Sequence, residues 1–209
     1  MTSGARARTT RPLLIGLTGN IATGKSEVAR MLATLGAVAI DADVVAHEVM
    51  RPGGLAYEAV VEAFGPGILA PDGAIDRSRL GAIVFRDAEA LRRLEAAVHP
   101  ATIAEVDRRI DAAEAPAVVV EAIKLIEAGM HRGYDALWVV VASRKNQIAR
   151  LVASRGLSEE EAALRVDAQP PQEEKAALAD RVFANDGDLQ ALQRQVEAAW
   201  EQLETWRTT

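Results

Sequence analysis

Short, nearly continuous runs of Val, Ile and Leu recur at Leu13–Leu17, Ala37–Ile40, Ala117–Val120, Leu137–Val141 and Arg181–Phe183, most of them followed by polar residues. Strands buried on both faces read this way, because neither side of such a strand meets water. Between the first two runs Val28, Met31, Leu32 and Leu35 repeat at i, i+3, i+4 and i+7, and Gly36 follows as a stop, so a strand-helix-strand unit is predicted. Strands alternating with helices imply an α/β fold, a parallel sheet of five strands with right-handed crossovers and helices on both sides.

From Val44 to Glu114 no comparable strand pattern occurs. Helical patterns appear instead at Ala59–Phe64, Leu80–Phe85, Leu91–Val98 and Ile103–Ile110, separated by turn signals such as Pro52-Gly53-Gly54, Gly65-Pro66-Gly67 and Pro71-Asp72-Gly73. A helical subdomain inserted between strands is expected at 44–114. From Ser143 to Asp180 the chain is polar and helical, with Ser158 and Glu161 spaced as a capping box and Pro170-Pro171 ending the next helix. That composition suits a mobile flap, at 144–176. Leu189, Leu192, Val196, Ala199 and Leu203 step by threes and fours, which predicts an amphipathic final helix. The remaining segments, 12–43, 115–143 and 177–209, form the core of a single domain spanning 12–209, after a short tail at 1–11 that carries Arg6, Arg8 and Arg11 and no acid.

Composition narrows the functional classes. Thirty acids against 24 Lys and Arg leave a net charge of -6, which disfavours nucleic acid or an anionic membrane as the main partner. The absence of cysteine excludes disulfides, Cys-ligated zinc, iron-sulfur clusters and thiol catalysis, and is compatible with the cytoplasm. The longest apolar stretch, Ala136–Ala142, falls far below the roughly 18 residues of a spanning helix. His47, His99 and His131 show no ligand spacing and read as structural, as do Trp138, Trp200 and Trp206.

The chemistry lies in Gly19-Asn20-Ile21-Ala22-Thr23-Gly24-Lys25-Ser26, a G-x-x-x-x-G-K-[ST] loop placed between a predicted strand and a predicted helix. Its backbone N–H groups and the helix start can surround phosphate oxygens, Lys25 adds a point charge near the β- and γ-phosphates, and Ser26 ligates Mg²⁺. A P-loop NTPase of three α/β/α layers is expected, using ATP with Mg²⁺.

The loop alone does not choose among nucleotide enzymes. No D-x-x-G or N-K-x-D stands in the chain, which argues against a GTPase. Asp41-Ala42-Asp43 directly follows the second strand, and in an open parallel sheet ligands sit beyond the carboxyl ends of the strands. One carboxylate there can take a proton from an acceptor hydroxyl; alternatively, Asp43 simply caps the next helix. A small-molecule kinase is the favoured reading, and a nucleotide-sensing regulatory protein the rival.

At this point the chain closely resembles dephospho-CoA kinases from about Leu13 to the final helix. Beyond the P-loop, the matching pieces are Gly16-Leu17-Thr18, Ile40-Asp41-Ala42-Asp43, Phe64-Gly65, Asp72-Gly73, Ile75-Asp76-Arg77, Leu94-Glu95 and His99-Pro100. Gln147, Arg150-Leu151, Gln169, Ala179-Asp180 and Asn185 follow. The resemblance implies an adenylate-kinase-like layout of core, helical substrate subdomain and lid, with ATP and dephospho-CoA as substrates. It implies Asp43 as general base, Arg77 in the substrate region, Arg150 as catalytic and Arg155 beside it in the lid, and Asn185 near the adenine. A cytoplasmic monomer is expected, a small homo-oligomer being the alternative.

The chain departs from the family pattern Gly-Gly-Ile-Gly-Ser-Gly-Lys-Ser-Thr at Asn20, Ala22, Thr23 and Glu27, and Glu27 places negative charge near phosphates. The usual Pro-Leu-Leu-Phe-Glu is here Ile123-Lys124-Leu125-Ile126-Glu127, putting Lys124 among the substrate-binding candidates.

Overall fold

A computed structural model describes residues 11–208, with side chains through Leu203. Strands β1 (Leu13–Thr18), β2 (Val38–Asp41), β3 (Ala117–Glu121), β4 (Ala136–Val141) and β5 (Arg181–Ala184) form one parallel sheet ordered β2-β3-β1-β4-β5. Each apolar run is a strand, to within a residue at either end. The order reverses about β1, since β2 lies beyond β3 on one side and β4 follows on the other. That reversal opens a crevice at the carboxyl ends of β1 and β3.

Alternation along the central strands divides the core in two. Ile15, Leu17, Val119, Trp138 and Val140 face α1 (Lys25–Thr34) and α9 (Leu189–Thr208), meeting Val28, Leu32, Leu192 and Val196. Ile40, Val118, Val120 and Leu137 face the opposite layer, built from α2 (Ala42–Glu48), α3 (Tyr57–Phe64), α4 (Arg77–Val84) and α5 (Ala88–Asp111), through Val45, Val60, Leu80 and Val106. Gly16 permits this second layer to approach β1: a Cβ there would stand 2.9 Å from both Leu125 and Tyr134 side-chain carbons. Trp138 packs edge-on against Phe183 at 5.3 Å, and Trp200 is buried, as packing roles require. The Trp206 side chain lies outside the described residues, and Leu189, expected on the buried stripe of α9, is 54% exposed.

The patterns at Leu91–Val98 and Ile103–Ile110 prove to be one 24-residue helix, α5, running through Pro100. Pro100 removes one backbone donor, but it sits on the exposed face, where water can satisfy the freed carbonyl. The tail at 1–11 falls mostly outside the described residues; Arg11 is already held, donating to both Asp135 carboxylate oxygens at 2.6 and 3.0 Å.

Past β4, α6 (Arg144–Arg155) and α7 (Glu159–Asp167) pair through a small separate cluster, Ile148, Leu151, Ala162 and Val166. Ser158 and Glu161 form the capping box that starts α7. Ile21 and Ala22 of the glycine-rich loop pack onto this cluster, so the flap and the loop share apolar contacts. The short α8 (Gln172–Ala176) then leads into β5.

Candidate active site

The loop between β1 and α1 turns twice through left-handed backbone. Gly24 is the N-cap of α1 at φ 99°, and a Cβ on it would stand 2.2 Å from the Asn185 amide nitrogen. Ala22 adopts φ 57° without being glycine, a strained position for an L-residue, and its methyl is the part that reaches the α6–α7 cluster. Side chains from distant segments hold the loop. Asn185 donates to the Thr23 carbonyl at 2.8 Å, and Arg150 donates to the carbonyls of Ala22 (3.2 Å), Thr23 (3.1 Å) and Asn185 (2.7 Å). Asn20 donates to the Pro170 carbonyl at 2.9 Å, and the Ile21 amide donates to Gln169 at 2.6 Å.

A cavity of about 340 Å³ opens in front of the loop. Ile21, Ala22, Gly24, Lys25, Ser26 and Glu27 form one wall, and Asp41, Asp43, Glu121 and Ile123 face them from the ends of β2 and β3. Arg155, from the end of α6, closes a third side. A larger cavity, about 530 Å³, lies away from this site between α5 and the β3–β4 connection, lined by Leu14, Ile103 and Tyr134. It holds no phosphate-binding loop, so the smaller cavity is the candidate site.

Lys25 folds back to donate to the Asn20 carbonyl at 3.2 Å. Burial lowers its pKa, while Glu121 and Asp43 oppose that shift by favouring the ammonium. Glu27 is neutralised locally: Arg30 on the next turn hydrogen-bonds it and lowers its pKa, so the extra negative charge read from sequence carries its own counter-ion.

The acidic pair resolves into two roles. Asp41 caps α2, its Oδ1 accepting from the Val44 amide at 3.0 Å. Asp43 therefore does not cap the helix. It sits in the first turn, its Oδ2 accepting from the Ile123 amide at 3.3 Å, and faces the cavity that contains Lys25.

Glu121 had no place in the sequence reading. It ends β3, is 7% exposed, and leaves Oε2 without a hydrogen-bond partner. Burial pushes its pKa up to about 7; Asp41 adds like-charge repulsion, and the Ser26 hydroxyl draws it down. The only signal in the sequence was a single acid closing an apolar run. Lys175 was likewise unread: buried in α8, it donates to the Ile123 carbonyl at 2.5 Å and pairs with Glu127 at 3.1 Å.

The other sequence candidates do not line the cavity. Arg77 opens α4 and contacts the His47 ring at 2.9 Å. Lys124 is paired with Glu95 on α5 at 2.8 Å. Arg150 is committed to the three carbonyls above, and it is Arg155 that lines the cavity.

Comparison with known proteins agrees in sequence and in shape. The family model for dephospho-CoA kinase matches residues 13–191. A dephospho-CoA kinase of Geobacter sulfurreducens is 48% identical over 190 residues, covering 90% of this chain and 96% of the relative. A crystal structure of a Thermus thermophilus protein superposes with a TM-score of 0.81 at 35% identity, covering 93% of this chain and 99% of the other. A dephospho-CoA kinase from Campylobacter jejuni gives 0.69 at 26% identity, covering 93% and 98%.

Proposed function

The chain belongs to the dephospho-CoA kinase family and is an ATP-dependent kinase of that class; from that premise we propose how its residues move the γ-phosphate of ATP to the ribose 3′-hydroxyl of dephospho-CoA, giving CoA and ADP, the last step of CoA biosynthesis. The observation that carries the reading is the division of labour between two neighbouring acids. Asp41 is spent on the helix cap, and Asp43 is left facing Lys25 across one cavity.

ATP binds with its phosphates against the loop amides from Gly19 to Ser26 and the amino end of α1. Lys25 sits at the β- and γ-phosphates, and the cost of its desolvation is recovered when those oxygens arrive. Asn185 packs behind Gly24, and the family resemblance puts it near the adenine. A Mg²⁺ ion carried by the nucleotide fits Ser26 and, through water, Glu121, whose buried Oε2 lacks a partner. When bound, such an ion neutralises charge on the β- and γ-phosphate oxygens. Among the described residues no group of three or more acids or histidines has the geometry of a protein-only metal cage, and a nucleotide-borne Mg²⁺ needs just one or two protein ligands.

Asp43 accepts the proton of the acceptor hydroxyl and aligns its oxygen with the γ-phosphorus. The helical subdomain at 44–114 supplies the acceptor side, with Arg77 as its cationic contact and Lys124 at its margin. Segment 144–176 is the lid. Arg155 brings charge to the equatorial oxygens of the transferred group as the lid closes, and Arg150 braces the loop from behind. The working unit in this reading is a cytoplasmic monomer that uses ATP and dephospho-CoA.

The test is product formation from ATP with dephospho-CoA, AMP or adenosine as acceptor. CoA and ADP should form in equal amounts from dephospho-CoA, far faster than ADP forms with either other acceptor. Equal rates on AMP would point to a nucleoside-monophosphate kinase, and ADP release that ignores all three to a nucleotide-binding regulator.

A further inference from the structure

His47 and Asp43 lie four residues apart on α2, which places them one above the other on the same side, separated by about 6 Å along the axis. From α4, Arg77 reaches across so that Nη2 stands 2.9 Å from His47 Nε2. A guanidinium can only donate, so Nε2 must present its lone pair, and the imidazole is neutral with its proton on Nδ1. The contact has a direction and a protonation state built into it.

The charged groups around the ring are few. Asp43 acts on it from its own helix, Asp41 from the end of β2, and Arg77 from α4. Helix α5, packed along α2, brings Arg109, but that guanidinium is held by Glu48 and Glu105. Burial, and then Arg77, lower the His47 pKa, in keeping with a neutral ring. The other arginine of α4 is engaged elsewhere: Arg79 pairs with the helix-capping Asp76 and donates to the Leu69 carbonyl at 2.8 Å. Arg77 has its described hydrogen bond to His47.

We propose that His47 is a positioning residue for the acceptor: as a neutral acceptor it holds the Arg77 guanidinium beside Asp43, where Arg77 receives the diphosphate of the nucleotide that is to be phosphorylated. The inference rests on the reading of Arg77 as an acceptor contact. Protonation of His47 replaces a hydrogen bond by repulsion between two cations and releases Arg77 from its place. Acceptor affinity therefore weakens in acid, whereas ATP, bound at the glycine-rich loop, is unaffected through this route.

Steady-state kinetics on His47→Leu, His47→Gln and Arg77→Ala, with melting midpoints measured alongside, separates the possibilities. His47→Leu should raise KM for dephospho-CoA about three- to tenfold, the loss of one hydrogen bond to a charged group at a half-exposed site. Its kcat and KM for ATP should stay within twofold. His47→Gln, which can still offer an acceptor oxygen to Arg77, should return KM to within about twofold of wild type. In wild type, KM for dephospho-CoA should rise as pH falls below the ordinary histidine value of about 6.5, and this rise should disappear in His47→Gln. If Arg77→Ala raises KM for dephospho-CoA but His47→Leu does not, His47 does no positioning. An unchanged KM in Arg77→Ala overturns the Arg77 reading itself, and the role of His47 with it.

Discussion

Asp41 and Glu121 stand directly across from each other where β2 pairs with β3, two carboxylates at the same end of adjacent parallel strands. Water reaches Glu121 poorly, and no described hydrogen-bond partner takes its Oε2. In the free protein this site holds more acid than it can comfortably ionise. Lys25 and Arg155 are the cations lining this cavity, and on the proposed reading a nucleotide-borne Mg²⁺ would supply further positive charge.

A pH dependence follows for the ligand-free protein. The Glu121 pKa is raised from 4.5 to about 7, so the folded state keeps a proton that the unfolded chain has lost. Its contribution to stability is present in full below 4.5 and is lost as pH rises through about 7. Between pH 5.5 and 8.5 this amounts to a loss on the order of 2 kcal/mol. Urea unfolding at the two pH values should show it, and Glu121→Gln should largely abolish the difference. A variant with the same pH slope as wild type would mean that Glu121 ionises normally.

Lys25→Ala should lower kcat by on the order of 10² or more, since a charge opposite the developing phosphate oxygens is lost. Melting should hardly move, and can even rise, because the lysine is desolvated in the free protein and its pKa is lowered by that burial. Turnover close to wild type would take the glycine-rich loop out of the mechanism.

The two lid arginines should separate kinetically. Arg155→Ala should reduce kcat more than it changes KM for ATP, as expected of a group meeting the transferred phosphate. Arg150→Ala removes hydrogen bonds to two loop carbonyls, Ala22 and Thr23, and to the Asn185 carbonyl, and should raise KM for ATP and lower the melting midpoint together. Interchanged phenotypes would return the catalytic role to Arg150.

This pair also marks where the sequence stops being legible. Five residues along a helix rotate a side chain through about 140°, so Arg150 and Arg155 cannot share a face, yet nothing in their spacing says which one meets the cavity. The strands were legible because burial on both faces leaves unbroken apolar runs, as at Ala117–Val120. Glu121, the next residue, was lost for the same reason: the run ended there, and a single acid has no period. Asp41 and Asp43 could not be told apart as cap and base, because both are good caps and the choice depends on where the helix starts. The patterns at Leu91–Val98 and Ile103–Ile110 did not read as one helix because Pro100 stands between them, and it is tolerated there on the exposed face. The His47–Arg77 contact leaves no trace in the sequence, because the two residues are 30 apart and meet only once the fold brings α4 to α2.

Segment 144–176 should not respond to ligands as one body. Gln169 and Gln172 tie its end to Ile21 and Ala142, and Lys175 ties it to Ile123. Amide exchange should slow with both substrates across 152–168, whereas 172–176 should be protected already. Uniform exchange across the whole segment, unchanged by ligands, would mean that no lid closes.

The most direct test is kcat of Asp43→Asn and Asp41→Asn at saturating ATP and dephospho-CoA, with urea midpoints for both. Asp43→Asn keeps a carbonyl oxygen for the Ile123 amide and removes the base, so kcat should fall by on the order of 10² to 10⁴ with the midpoint unchanged. The lower end applies if Asp43 mainly aligns the hydroxyl, since a loose transition state needs little early proton removal. Asp41→Asn should keep most of its turnover, because asparagine caps a helix nearly as well. Turnover of Asp43→Asn within about threefold of wild type, a barrier change under about 1 kcal/mol, would contradict the assignment of Asp43 as the base.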